Sequence, residues 1–175
     1  MPCLIVQGST IDCRDSVGGS GLSLLIGEYS NVPQANITAA SGVISAMTCS
    51  TGKRLFKYEL QKENAQFNDS VKVSLENGTT YSEQTLTFTL KKMSAALRNN
   101  LLTLAYNRLM IVVKDANGVN WVMGQVNGAD LTGNEGTTGK AMGDLNGHTL
   151  TFTAKEPVPA NTVSDAIYAS LQITA

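Results

Sequence analysis

Residues 67–92 read FNDSVKVSLENGTTYSEQTLTFTLKK, two alternating polar–apolar runs on either side of Asn77-Gly78. This stretch restricts the fold more than any other in the chain. Alternation at period two marks a half-buried strand. Asn-Gly between two such runs signals a hairpin, because a type I′ turn needs positive φ at both central residues. A two-residue loop predicts that Glu76 faces Thr79, Lys72 faces Glu83 and Phe67 faces Phe88, so charges oppose and aromatics pair. One face then carries Phe67, Val71, Val73, Leu75, Leu86 and Phe88. The other carries Asn68, Ser70, Lys72, Ser74, Glu76, Glu83, Thr85, Thr87 and Thr89. Each arm runs about ten residues, roughly 33 Å at 3.3 Å per residue. A free hairpin that long cannot hide its apolar face, so part of it is expected on the domain core or on another subunit.

The rest of the chain also reads mainly as strands. LSLLIGEY (22–29) is a short apolar run, and RLFKYELQKE (54–63) places Leu55, Tyr58 and Leu60 among polar residues. One helix is expected at about 93–107, with Ser94 as N-cap and Leu97, Leu101, Leu104 and Ala105 forming a stripe that packs on the sheet. A second hairpin is expected where RLMIVVKD and VNWVMG flank Asn117-Gly118. A two-residue loop there predicts Val113 opposite Val122 and Lys114 opposite Trp121, where the lysine either makes a cation–π contact or simply covers the indole with its stem. Leu109–Val113 is apolar without alternation, as in a strand covered on both faces. From about Gly124 to Gly147 the chain is dense in Gly, Asn, Asp and Thr, which predicts a long loop, functional or disordered. HTLTFTAKE (148–156) alternates again, with Leu150 and Phe152 inward and Thr149, Thr151 and Thr153 outward. AIYASLQITA (166–175) is expected as a last strand or an adhering arm.

Composition narrows the function classes. At 175 residues the chain is one domain able to bury its own core. Its net charge of −1 sets up no basic field for nucleic acid or anionic lipid. No apolar run reaches membrane-spanning length, and the first residues lack a signal peptide's basic region. Cys3, Cys13 and Cys49 are odd in number, show no zinc spacing, and are expected as free thiols. The sequons at Asn36, Asn68 and Asn77 matter only in a secretory pathway.

Candidate chemistry is thin. GNEGTTGKAM (133–142) resembles a phosphate loop, but five residues rather than four separate Gly133 from Gly139. Ala141 stands where a Ser or Thr hydroxyl should meet magnesium, and a strand follows where a helix is needed. His148 has no nucleophile nearby in sequence and is expected at the surface or a strand edge. Asp115, Asp130 and Asp144 lie in glycine-rich turns and read as turn formers rather than calcium ligands. No enzyme, cofactor or metal is indicated. Threonine-rich strands with long hairpins and loops suit assembly.

IDCRDSVGG, the run from GKRLFKYELQKENAQF through the first hairpin, NRLMIVVKDANGVNWVMGQVNG and TGKAMGDLNGHTLTFTAKEPVPA cover most of the chain. In that order they resemble tail tube (major tail) proteins of tailed bacteriophages infecting Bacteroidetes-type bacteria. The resemblance implies a β-barrel or sandwich with a flanking helix, forming hexameric rings that stack into a tube. It implies a virion protein made in the host cytoplasm, contacting itself and other tail and connector proteins, with DNA passing unbound and no membrane partner. It places a long hairpin (67–90) at the channel, with Ser70, Lys72, Ser74, Glu76, Glu83, Thr85, Thr87 and Thr89 toward the lumen. The glycine-rich segment then supplies inter-subunit contacts through Asn134, Glu135, Thr137, Thr138, Lys140 and Asp144, joined by an N-terminal segment (1–20) and a C-terminal arm (157–175). Another virion part (tail terminator, connector ring or capsid decoration) and a carbohydrate-binding β-sandwich stay open as alternatives.

Overall fold

The structure, a computed structural model, describes residues 16–173, so Cys3, Cys13 and most of the 1–20 segment lie outside the described residues. It is mainly β. In chain order the elements are β1 (Ser20–Glu28), two short 3-10 turns, β2 (Ile37–Ala40), β3 (Val43–Met47), β4 (Leu55–Glu59), β5 (Ala65–Ser74), β6 (Thr79–Lys91) and α1 (Ala95–Tyr106). There follow β7 (Leu109–Asp115), β8 (Asn120–Met123), β9 (Ala129–Thr137), β10 (Gly147–Glu156), β11 (Asn161–Val163), α2 (Asp165–Leu171) and β12 (Gln172–Ile173). All strands join one sheet, whose main path runs β2-β3-β11-β8-β7-β9-β10-β6-β5, with β1 between β7 and β4.

β7 is the hub. Residues 109–113 are all buried, and alternate side chains enter two different cores. Leu109, Ile111 and Val113 join Leu24, Ile26, Leu86, Phe88, Leu150 and Phe152 beneath α1. Met110 and Val112 join Leu25, Ile44, Met47, Leu55 and Val122 beneath α2. The unalternating apolar run is therefore a strand with both faces covered, as expected. α1 starts where expected: the Ser94 hydroxyl accepts the Leu97 amide at 3.1 Å. Leu101 and Leu104 face the core, but Ala105 is exposed, so the packed stripe is narrower than expected.

Both hairpins form, and both differ in register from the Asn-Gly expectation. In the first, only Gly78 of the pair is left-handed (φ +61°), so no type I′ turn forms. The loop widens to Leu75–Gly78, closed by Ser74 opposite Thr79, with the Ser74 hydroxyl 3.2 Å from the Asn77 side-chain amide. Partners slide by two: Lys72 faces Tyr81, Phe67 faces Leu86, and Ala65 faces Phe88. A slide of two keeps every side chain on its expected face. Lys72 still reaches Glu83 diagonally, at 3.6 Å.

In the second hairpin the slide is one, so Val112 faces Val122, Val113 faces Trp121 and Lys114 faces Asn120. Asp115 decides this. Its Oδ1 accepts the Asn117 and Val119 amides, both at 2.8 Å, which makes a three-residue loop ending in left-handed Gly118. A strand apolar on both faces offers no alternation to resist the shift. Lys114 therefore does not meet the indole. It pairs with Asp165 at 2.8 Å, while Trp121 stacks on Phe67.

Three further expectations are corrected. Residues 129–137 are not loop but strand β9, paired along β10. Their own side chains give little β propensity, and the pairing comes from β10's regular alternation next door. Residues 165–171 form a second helix rather than a strand, capped by the Ser164 hydroxyl on the Ile167 amide. His148 is not on the surface: it is 8% exposed, lies under Gly136, and sits with Nδ1 3.0 Å from Asn134 Oδ1.

Candidate assembly surface

Strands β9, β10, β6 and β5 form a continuous antiparallel stretch with two opposite faces. The inner face is dry, with Leu86, Phe88, Leu150, Phe152 and Ala154 all buried and the Phe88 and Phe152 rings stacked 5.7 Å apart. The outer face is a field of hydroxyls. The T-x-T runs of β6 and β10 align so that Thr85 faces Thr153, Thr87 faces Thr151 and Thr89 faces Thr149. Their hydroxyls meet across the strands, at 3.4 Å for Thr87–Thr151 and 3.3 Å for Thr89–Thr149, and Thr132 adds a contact to Thr153 at 3.0 Å. Gln66, Asn68, Ser70 and Ser74 continue this face on β5.

Of the residues expected to face a channel, Ser70, Lys72, Ser74, Glu83, Thr85, Thr87 and Thr89 all fall on this one face. Glu76 lies apart, exposed in the hairpin turn. Alternation parity puts Lys72, Lys91 and Lys155 there among cations, and Glu83, Asp130 and Glu135 among anions, so the face carries no basic excess. Thr132, Thr149, Thr151 and Thr153 belong to the same field. The alternation marks the β10 threonines as outward, but only the pairing of β10 with β6 puts them beside Thr85–Thr89.

Of the residues expected at an inter-subunit loop, Asn134, Glu135 and Thr137 are in β9. Asn134 turns inward to His148, and Glu135 lies beside Thr149 on the polar face. Thr138, Lys140 and Asp144 sit in the β9–β10 connection, which its own chain holds in shape. Asp144 Oδ2 accepts the Lys140 and Ala141 amides, both at 2.8 Å, and these two bonds hold its carboxyl below the usual range. The connection presents Met142 fully exposed.

The stretch ends in two unsatisfied edges. β5 pairs only with β6, and β9 beyond its single bridge to β7 at Leu109–Ala129 pairs only with β10, among the described residues. Past the core, the inner face of β5 is bare: Val71 is 55% exposed, Val73 61% and Leu75, in the turn, 93%. Beside the β9 edge, α1 exposes Leu102, and at its C-terminal end Tyr106 is 85% exposed.

The corner between β8 and β9 is clamped. Glu156, on β10 and 2% exposed, accepts the Val126 and Asn127 amides, both at 2.9 Å. The Tyr29 hydroxyl donates to the Val126 carbonyl, and Arg108 lies 4.3 Å over the Tyr29 ring. Burial pushes the Glu156 carboxyl up, against the amides and Arg108, which pull it down. Nothing in the sequence flagged Glu156, since its partners lie about thirty residues away in a loop.

No cluster of three or more His, Cys, Asp or Glu side chains converges as a metal site among the described residues. Among the described residues Cys49 is a free thiol, and burial pushes it up, away from reactivity at neutral pH. A cleft of about 510 Å³ is lined by the stacked Phe67 and Trp121 rings together with Asp69 and Asp115. These polar groups are already engaged: Asp115 accepts the indole N–H at 3.2 Å, and Asp69 accepts the Ala160 amide at 2.7 Å. In comparison with known proteins, no family model, no curated protein and no solved structure matches this chain.

Proposed function

We propose that this chain is a structural virion protein that polymerises through stacked, hexameric rings into a phage tail tube, the conduit for DNA ejection. The observation that carries the reading is the two-faced sheet β9-β10-β6-β5. It has a hydroxyl surface on one side, a strand with one unpaired edge at each end, and an apolar hairpin stretch its own core leaves uncovered. A long edge strand with bare valines is a hazard in a monomer, and closure between copies removes it. In a ring the hydroxyl face lines the lumen. A basic lumen would hold phosphates, each gaining affinity through counterion release, and would stall the genome. A threonine wall with balanced charge supports passage without capture. Met142, in the middle of the β9–β10 connection, then meets the adjacent ring.

Electron microscopy of the purified protein tests this directly. A tube protein gives stacked rings of open-ended length, with Ser74, Thr85 and Thr87 facing the lumen. Single closed rings would favour a terminator or connector role instead, and a persistent monomer defeats both. For the lumen, Glu83→Lys with Thr85→Lys should leave tubes intact yet slow genome ejection, most visibly at low salt. Normal ejection through such tubes would remove the channel assignment.

A further inference from the structure

We infer that the groove between α1 and the free edge of β9 is the seat for the β5–β6 hairpin of a second copy of this chain. This rests on the ring reading and names the seam that would close it.

Strand direction comes first. The pairings β9–β10, β10–β6 and β6–β5 are all antiparallel. With four strands, β9 and β5 therefore run in opposite directions. A copy rotated about an axis along the strands brings its β5 antiparallel to its neighbour's β9, so the ladder continues unbroken. Three or five strands would have forced a parallel junction.

Side-chain parity comes next. If the hydroxyl faces of two copies are continuous, the inner-face residues of the incoming β5 must point to the side where Leu131 and His148 lie. Val71 and Val73 are on that face. The space they enter is a groove of about 440 Å³ whose wall holds Leu101, Leu102, Ala105 and Leu131 beside Arg98 and His148. Any sheet that closes into a barrel must stagger its strands, which slides the overhanging half of β5 along the neighbour's edge.

Polarity then matches the ends. Met93, just before α1, lies against Gly136 near the end of β9, and Leu109, just after α1, pairs with Ala129 at its start. Hence α1 runs antiparallel to β9. An incoming β5, also antiparallel to β9, carries its tip toward the C-terminal end of α1. Leu75, the most exposed apolar side chain of the hairpin, then lies toward the helix end where Tyr106 is 85% exposed. On the polar face, Lys72 of the incoming strand joins the side of β9 that bears Asp130 and Glu135, so the seam is complementary in charge as well.

Charge-swap rescue tests the seat. Val73 and Leu102 are both exposed in the single chain, so Val73→Lys and Leu102→Glu should each give a folded monomer by circular dichroism. Val73→Lys alone should weaken assembly by roughly tenfold or more, since it buries a second cation beside Arg98 in the seam, and Leu102→Glu, one turn from Arg98, should weaken it less. The double variant should restore assembly by light scattering and electron microscopy, because every seam then pairs the two charges. A photocrosslinker at Leu102 should capture residues 65–78 of another copy. If the single variants assemble like the parent, if the double gives no rescue, or if the crosslink captures a different segment, the seat is wrong while the ring reading stands. A parent chain that never assembles overturns both.

Discussion

Removing the Glu156 side chain strikes the joint between the two halves of the sheet. Its carboxylate is the acceptor for Val126 and Asn127, each at 2.9 Å, at a residue only 2% exposed. Glu156→Ala leaves both amides without a partner. An orphaned buried donor costs about 1–3 kcal/mol. Two fully buried donors would cost about 2–6 kcal/mol, but Val126 and Asn127 lie in an exposed turn where water reaches the freed amides, and relief of the buried charge offsets a further part. We expect a loss of about 2–4 kcal/mol by urea unfolding followed through Trp121 fluorescence. Hydrogen exchange should accelerate at Val126 and Asn127 beyond the global change. Glu156→Gln keeps one acceptor and turns an amide group toward the other N–H, so its loss should be smaller, about 1–3 kcal/mol.

The pH dependence has a definite sign. The folded carboxyl is raised above the ordinary glutamate value of 4.5, chiefly by burial. A raised group contributes stability that is complete below the unfolded value and is lost as pH rises through the folded one. The advantage of the parent over Glu156→Gln should therefore be largest near pH 4 and narrow toward pH 7. An advantage that grows with pH would mean that the amides and Arg108 outweigh burial. A Glu156→Ala variant within about 0.5 kcal/mol of the parent, the scatter of an ordinary surface change, would refute the clamp itself.

Gly124→Ala should fold poorly or not at all, because φ is +73° and a Cβ would lie 2.5 Å from the Ala129 backbone nitrogen. Gly78→Ala, at φ +61° in open space, should cost only about 1–2 kcal/mol, the ordinary left-handed penalty, and thermal melts of the pair separate sterics from strain. Phe88→Ala should cost about 3–5 kcal/mol by removing half of a buried ring stack, whereas Thr87→Ala on the opposite face should stay within about 0.5 kcal/mol. Asp144→Ala should speed exchange at the Lys140 and Ala141 amides while barely moving the melting temperature. Because that carboxyl is lowered from 3.8, the order it supplies is present above this value and lost as pH falls below it.

Much was legible locally. The alternation of residues 67–74 and 79–90 assigned each side chain to the correct face, and the unbroken apolar run 109–113 marked the twice-covered strand. Ser94 marked the start of α1, and Ser164-Asp165 before Ile167, Tyr168 and Leu171 was an equally available helix signal that the strand expectation passed over. These are effects of period and capping, which neighbours in sequence decide between themselves.

Register, pairing and burial were not local. Asn-Gly marked both turns, yet Ser74 and Asp115 drew the backbone into longer loops by hydrogen bonds that compete with the type I′ geometry. β9 is a strand because β10 offers it a ladder, and His148 is buried because Gly136 leaves room for its ring. The joining of two T-x-T runs into one hydroxyl face, the clamp at Glu156 and the bare valines at the open β5 edge all depend on segments tens of residues apart meeting in space. Sequence by itself determined which side is polar in the first hairpin and in β10, since that follows from parity. Only the tertiary structure decided which strands lie side by side, because that choice is made by backbone pairing and shared burial across the whole chain.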